Sequence, residues 1–435
     1  MKDDMESRAF RIEKEKKNNG KRAGGTIAKG CNEKMKEESM DLTLITRETK
    51  RAFNIDFLNE AKAKEIYDYH RSFDAYEKTP LVDLEHLAKH WGVKNIFVKD
   101  ESYRFGLNAF KVLGGSYALG KVIAEKLGIE LSELPYKRLI SDEIREKLGE
   151  VTFVTATDGN HGRGVAWTAR ELKQKAIVFM PKGTVQERVD NITKLGATVE
   201  VTEMNYDDTV RYANDLAEKN GYIMVQDTAW EGYEEIPEWI MQGYMTLAYE
   251  ITAELNEKNV RPTHVFLQAG VGSFAAAATG YFSNVYRDNK PQIAIVEPDA
   301  VACIYESAKE DRRVLIGGEY STIMAGLSCG EPNITGLKIF MDYAEHYIAA
   351  SDEFAAHGMR LLGAPMKGDR QVISGESGAC TIGVVSKIMT DDRFKDLREQ
   401  LKLDENSSIV FISTEGDTDQ QNYLDIVWDG KYSSI

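Results

Sequence analysis

Short apolar runs alternate along the chain with longer stretches of helical periodicity. The runs are "NIFVK" (95–99), "VTFVTAT" (151–157), "KAIVFMP" (175–181), "TVEVTE" (198–203), "YIMVQD" (222–227), "THVFLQAG" (263–270), "IAIVEP" (293–298) and "SIVFIST" (408–414). They are rich in Val, Ile and Phe, and several are apolar throughout rather than at every second position. Such runs separated by helices predict parallel strands covered on both faces. Helices are predicted between them, among them "GRGVAWTARELKQK" (162–175) and "EWIMQGYMTLAYEITAELNEKN" (238–259). The pattern is therefore α/β. In open α/β sheets ligands lie beyond the carboxyl ends of the strands, so chemistry is expected there.

The first ~40 residues break the pattern. They are charged, Gly-rich and poor in apolar residues, too poor to offset the entropy of ordering. Residues 1–40 are expected to be a flexible extension. They lack the apolar segment of a secretory signal, and Met35 and Met40 are further candidate starts.

Composition narrows the function classes. The chain of 435 residues, 42% hydrophobic and 29% charged, reads as an ordinary globular protein large enough for two lobes. Its formal charge of −15 argues against nucleic acid, because phosphate backbones need a basic face. No apolar stretch is long enough to span a bilayer. The four cysteines have no metal-ligand spacing and read as reduced thiols of a cytoplasmic protein. No metal site is expected. Cys303 and Cys329 fall in one Gly-rich region, and the sequence leaves open whether they pair.

Four strand ends carry chemistry. "VFLQAGVGSFAAAATGYF" runs from a strand through Gly270, Val271, Gly272 and Ser273 into an Ala-rich helix. Glycines admit a close ligand, and free amides at the helix start favour an anion such as phosphate. The bland alternative is a structural strand–turn–helix connection. "VTFVTATDGNHGRGVAW" places Asp158 and Asn160 on a turn before a helix, where either serves as an N-cap. "YIMVQDTAW" ends near Asp227, and "IVFISTEGDTD" ends in Ser413 and Thr414. Acids and hydroxyls at strand ends also simply start turns.

"SYRFGLNAFKVLGG" (102–115) adds Lys111 between Phe110 and Val112, followed by two glycines. Either its head reaches water at an element end, or the residue is kept for its amine. An apolar setting lowers a lysine's pKa and frees the amine to attack an aldehyde. Beside a phosphate-binding turn, such a lysine fits a Schiff base to pyridoxal phosphate.

In chain order, "TPL" (79–81), "FVKDES…NAFKVLGG", "TATDGNHGRGVA", "QAGVGSFAAA", "IVEP", "GESGA" (375–379) and "STEGDTD" resemble the tryptophan synthase β, or fold type II, family of pyridoxal phosphate enzymes. The resemblance spans residues ~75 to 420. It is nearest to the diaminopropionate ammonia-lyase branch, marked by "NAFK", by an aspartate before "GNHG", and by the insert at 133–150. It implies two lobes, each a mostly parallel sheet covered by helices, with the active site between them. The large cofactor-binding lobe would be residues 41–112 and 227–435, and the small one residues 113–226. It implies a homodimer.

Residue by residue, the resemblance makes Lys111 the Schiff-base lysine and Asn160 the partner of the cofactor's phenolic oxygen. Gly270, Val271, Gly272 and Ser273 become the phosphate loop, although the family's usual loop is richer in glycine. Ser413 or Thr414 becomes the partner of the pyridine nitrogen. A hydroxyl there, rather than a carboxylate, weakens the electron sink and favours elimination. The implied reaction is conversion of 2,3-diaminopropionate, both D and L, to pyruvate and ammonia. Asp158 and Asp227 suit a cationic side chain and are expected to be catalytic with Lys111. The alternatives are a serine or threonine dehydratase or a β-replacement synthase on the same scaffold, and a non-catalytic module binding an anion or nucleotide.

Overall fold

The computed structural model describes residues 42–433 except Asp158 and Glu319. The expected N-terminal extension and the Asp158 site thus lie outside the described residues. Eleven described strands form two sheets: β1 (Leu42–Thr46), β2 (Leu81–Asp83), β3 (Asn95–Asp100), β4 (Thr152–Ala156), β5 (Lys175–Met180), β6 (Thr198–Val201), β7 (Ile223–Met224), β8 (His264–Gln268), β9 (Gln292–Pro298), β10 (His346–Ala350) and β11 (Ser408–Ser413). The larger sheet has the order β1-β10-β9-β8-β11-β3-β2. Its interior pairs are parallel, and its edge strands β1 and β2 pair antiparallel. The smaller sheet, β6-β5-β4-β7, is wholly parallel and lies within residues 152–224.

Strands β8, β10 and β11 are buried at every position, as strands covered on both faces must be. Each of the eight apolar runs contains a strand, but one is much shorter than expected. The run 222–227 yields only Ile223–Met224. Beyond it the Gln226 amide donates to the Tyr233 hydroxyl at 2.8 Å, and the Gln226 side chain takes the Ala156 amide at 3.0 Å. Side chains there replace the ladder.

The lysine helix, Val112–Leu127, lies at the centre of the packing, with twelve of its sixteen residues buried. One neighbour is helix Asn160–Glu171 and another is the long helix Glu235–Glu257. Glycines permit both contacts. A Cβ on Gly164 would lie 2.8 Å from Val112 Cα, and one on Gly243 would lie 2.5 Å from the Leu113 carbonyl. On the lysine helix itself, a Cβ on Gly114 would lie 2.7 Å from Tyr244, and one on Gly115 3.5 Å from the Gly164 backbone. The glycine pair after Lys111 is where two helices close on a third. No described helix is long and apolar enough to cross a membrane.

Candidate active site

Lys111 is the residue before the first turn of its helix, with a side chain 17% exposed. The amide of Phe110 donates to the Thr414 carbonyl at 3.1 Å, which ties this turn to the end of β11. Phe110 itself packs against Tyr244 and Phe274, each at 4.8 Å between ring centroids. Lys111 Nζ donates to Asp227 Oδ2 at 2.9 Å. Asp227 is buried, and burial alone would raise its pKa. Lys111 and His161 outweigh that and hold its carboxyl down at about 2. His161 is fixed through Nε2 to the Val225 carbonyl at 2.8 Å, and its Nδ1 stands 3.9 Å from Asp227.

The turn at Gly270–Ser273 leads into helix Ser273–Val285. Gly272 has φ +97°, and a Cβ there would lie 2.8 Å from the Phe340 ring. The first helical bond is from the Ala276 amide to the Gly272 carbonyl, so the preceding amides have no partner within the helix. Ser273 Oγ donates to the Asp227 carbonyl and accepts from Asn333 Nδ2 at 2.9 Å. Its hydroxyl therefore joins the anion-binding turn to the Asp227 segment.

Asn160 opens its helix and donates from Nδ2 to Glu415 Oε2 at 2.5 Å. The two hydroxyls after β11 diverge. Ser413 Oγ donates to Ser374 Oγ at 2.8 Å. Thr414 lines the cavity and accepts from Gln268 Nε2 at 2.9 Å.

One cavity is bordered by Lys111, Asn160, Asp227, Gly270–Ser273 and Thr414. Ser413 does not line it. Three further lining residues, Gln268, Tyr244 and Ser377, each carry a buried side-chain oxygen with no hydrogen-bond partner. Orphaned polar atoms around one cavity imply a polar guest. A helix start with unused amides, an amine, an amide and a hydroxyl match the phosphate, aldehyde, phenolic oxygen and ring nitrogen of pyridoxal phosphate, so the residues present fit that group. Glu415, Gln268, Tyr244 and Ser377 were not singled out by sequence. A polar residue inside an apolar strand was the available signal for Gln268, and the "STEGDTD" segment contains Glu415. Cys303 and Cys329 are free thiols, with Cys303 Sγ donating to the Cys329 carbonyl at 3.4 Å.

Known proteins resemble the chain over most of its length. Residues 73–415 match the family model described as pyridoxal-phosphate dependent enzyme. The chain is 49% identical over 381 residues to diaminopropionate ammonia-lyase of Salmonella typhimurium, covering 87% of this chain and 94% of that one. It is 49% identical over 375 residues to the Escherichia coli K12 enzyme of the same name, covering 86% and 93%. The crystal structure of the Escherichia coli enzyme in complex with D-serine has a TM-score of 0.87 and 45% identity, over 91% of this chain and 99% of that one. Threonine deaminase isoform 2 of Solanum lycopersicum, at 20% identity and a TM-score of 0.69 over 89% and 96%, shares the fold. The chain belongs to the pyridoxal-phosphate dependent enzyme family and, within it, to the diaminopropionate ammonia-lyases.

Proposed function

We propose that the protein uses pyridoxal phosphate to eliminate ammonia from 2,3-diaminopropionate, D or L. Water then completes the conversion to pyruvate and a second ammonia. The observation that carries this reading is the meeting of Lys111 and Asp227 at 2.9 Å on a cavity that also holds an anion-binding turn.

Lys111 would anchor the cofactor's aldehyde carbon, and the amides of Gly270–Ser273 its phosphate. Asn160 would serve the phenolic oxygen. Thr414 rather than Ser413 would face the ring nitrogen, since Thr414 borders the cavity and Ser413 Oγ is turned to Ser374. When bound, the cofactor withdraws electrons from the substrate's Cα and makes its proton labile. Lys111 takes that proton from one enantiomer. Asp158, placed by sequence before "GNHG", takes it from the other enantiomer on the opposite face. The β-nitrogen must depart as neutral ammonia, so it must stay protonated until the bond breaks. Asp227, ionised and buried with its charge met by the Lys111 amine, would assist the departure of that ammonia.

The same reading expects a homodimer in the cytoplasm and two lobes with residues 113–226 as the smaller. The parallel sheet formed within 152–224 supports that division. Sedimentation at micromolar concentration tests the dimer, and a monomer there removes it. The reaction is tested by pyruvate release from D- and L-2,3-diaminopropionate, measured separately and against serine. Both enantiomers should exceed serine in kcat/KM. A preference for serine or threonine would make the protein a dehydratase. Asp158→Asn should suppress the D-substrate far more than the L-substrate, and equal small losses would return Asp158 to a helix cap.

A further inference from the structure

Glu415 stands two residues beyond β11, on the cavity wall with Asn160, Ser377 and Thr414. Its main chain is fixed from two sides. Its carbonyl accepts from the Gly375 amide at 3.0 Å, and its backbone bridges to Ala109, two residues before Lys111. The side chain is buried, and Oε2 accepts from Asn160 Nδ2 at 2.5 Å and from Thr418 Oγ1 at 3.3 Å. Both donors are neutral. They orient the carboxylate without cancelling its charge.

Asp227 is different, because Lys111 lies against it. The cavity thus has one carboxylate matched by an ammonium and one held by neutral groups. Burying the second costs free energy unless a cation arrives. Its charge is felt nearby: the carboxyl of buried Glu376 is pushed up to about 7, by burial first and by Glu415 next. Arg163 and Arg188 border the adjoining cavity with Glu415, so an entering zwitterion meets both signs.

We propose that Glu415 determines specificity, its carboxylate receiving the substrate's β-ammonium and so favouring a diamino acid over a β-hydroxy acid. This rests on the reaction proposed above. The α-amine of any substrate is committed to the cofactor. The β-substituent is then what distinguishes diaminopropionate from serine, and only an ammonium makes a charge-assisted hydrogen bond with Glu415.

The test is Glu415→Gln in the full chain. Glutamine keeps the length and an acceptor for Asn160 but not the charge. The kcat/KM ratio of diaminopropionate to serine should fall at least about 10-fold, the scale of one lost charge-assisted hydrogen bond. Pyridoxal phosphate affinity of the apoprotein, read by quenching of tryptophan fluorescence, should stay within about threefold of wild type. Glu415→Asp retains the charge and should retain the preference for the diamino acid at a reduced rate. An unchanged ratio in Glu415→Gln, or equal losses on both substrates with weakened cofactor binding, would reduce Glu415 to a support for Asn160 and overturn the proposal. A shift in Glu415→Asp as large as in Glu415→Gln would overturn it too. Wild-type protein that binds the cofactor but releases no pyruvate from either enantiomer would sink the reaction itself, an outcome distinct from any change in ratio.

Discussion

Lys111 Nζ donates to Asp227 Oδ2 at 2.9 Å, joining residues 116 positions apart. Asp227 titrates at about 2, below an ordinary carboxylate. Its contribution to stability is therefore complete above the ordinary carboxylate pKa, and is lost as pH falls through about 4 toward 2. At pH 6 to 9 it is ionised throughout. Asp227→Asn should lower kcat on the order of 10²–10³-fold across that range, the usual scale for losing a preorganised electrostatic group. The midpoint of the acid limb of the pH profile should not move, because Asp227 is not the group titrating there. A shifted midpoint would show that it is.

Lys111→Ala should abolish turnover and let pyridoxal phosphate wash out on desalting, read as loss of visible absorbance. The far-ultraviolet circular dichroism should match wild type, since Lys111 precedes its helix and its side chain makes no cap bond to it. Retained absorbance after desalting would reassign the anchor.

The glycines around the lysine helix make a steric prediction. On Gly164 a Cβ would meet Val112 Cα at 2.8 Å and Val112 N at 2.9 Å, and backbone atoms cannot move aside cheaply. Gly164→Ala should cost about 1–3 kcal/mol, as overpacking does, and should lower kcat by displacing Lys111. Gly317→Ala is the control, because a Cβ there has no atom within 4 Å. Its Tm should equal that of wild type.

These contacts also mark where sequence reading stopped. Strands such as β3 and β11 were legible because burial on both faces demands unbroken Val, Ile and Phe. Strand β2 has three residues and β10 ends in Ala-Ala, so neither carries enough β-branched or aromatic signal to stand out. At the site, Lys111 and the Gly270–Ser273 turn were legible because a lysine among apolar residues and a glycine turn after a strand are locally odd, whereas Asn160 read locally as a helix cap and gained its role only from the family resemblance. Glu415 lies in a polar segment where an acid is unremarkable. Its meaning depends on Asn160, 255 residues away. The choice between Ser413 and Thr414 was likewise a matter of which face of a strand end meets the cavity.

A buried charge cluster supports the segment leading to Lys111. Glu250 accepts from Lys99 at 2.7 Å and from Arg104 at 2.8 and 2.9 Å, and these three side chains are fully buried. Arg104 also pairs with buried Glu101 at 2.8 Å. Glu250→Gln would leave buried Arg104 with Glu101 alone and buried Lys99 with only Glu254, 3.5 Å away. A loss of about 3–5 kcal/mol in urea unfolding is expected, the cost of leaving a buried charge unmatched. Removing the exposed pair Lys175–Glu150, with side chains 64% exposed on both partners, should cost less than about 1 kcal/mol. Similar losses in the two variants would contradict this account.

His70 supports the same helix and makes its stability depend on pH. Its Nε2 faces the Leu113 carbonyl at 3.0 Å, which accepts, so Nε2 carries the proton. Nδ1 is then free to accept from the Thr246 hydroxyl at 2.7 Å. Burial first, then the charge of Arg104, pushes the His70 pKa down to about 3. The native ring stays neutral while an unfolded histidine takes up a proton near pH 6.5. Stability from this group is present above about 6.5 and is lost as pH falls toward 3, at up to about 1.4 kcal/mol per pH unit. Buried His346 and half-buried His357, each pushed down to about 4, act in the same direction. Wild-type Tm should therefore fall markedly between pH 7 and pH 5. His70→Asn should melt lower at pH 7, having lost part of the bonding to Leu113 and Thr246. The gap between its melting temperatures at the two pH values should be narrower than in wild type, because one proton-linked group has been removed. Parallel curves for the two proteins would mean that His70 does not contribute to the linkage, and that the acid sensitivity belongs to the other buried histidines.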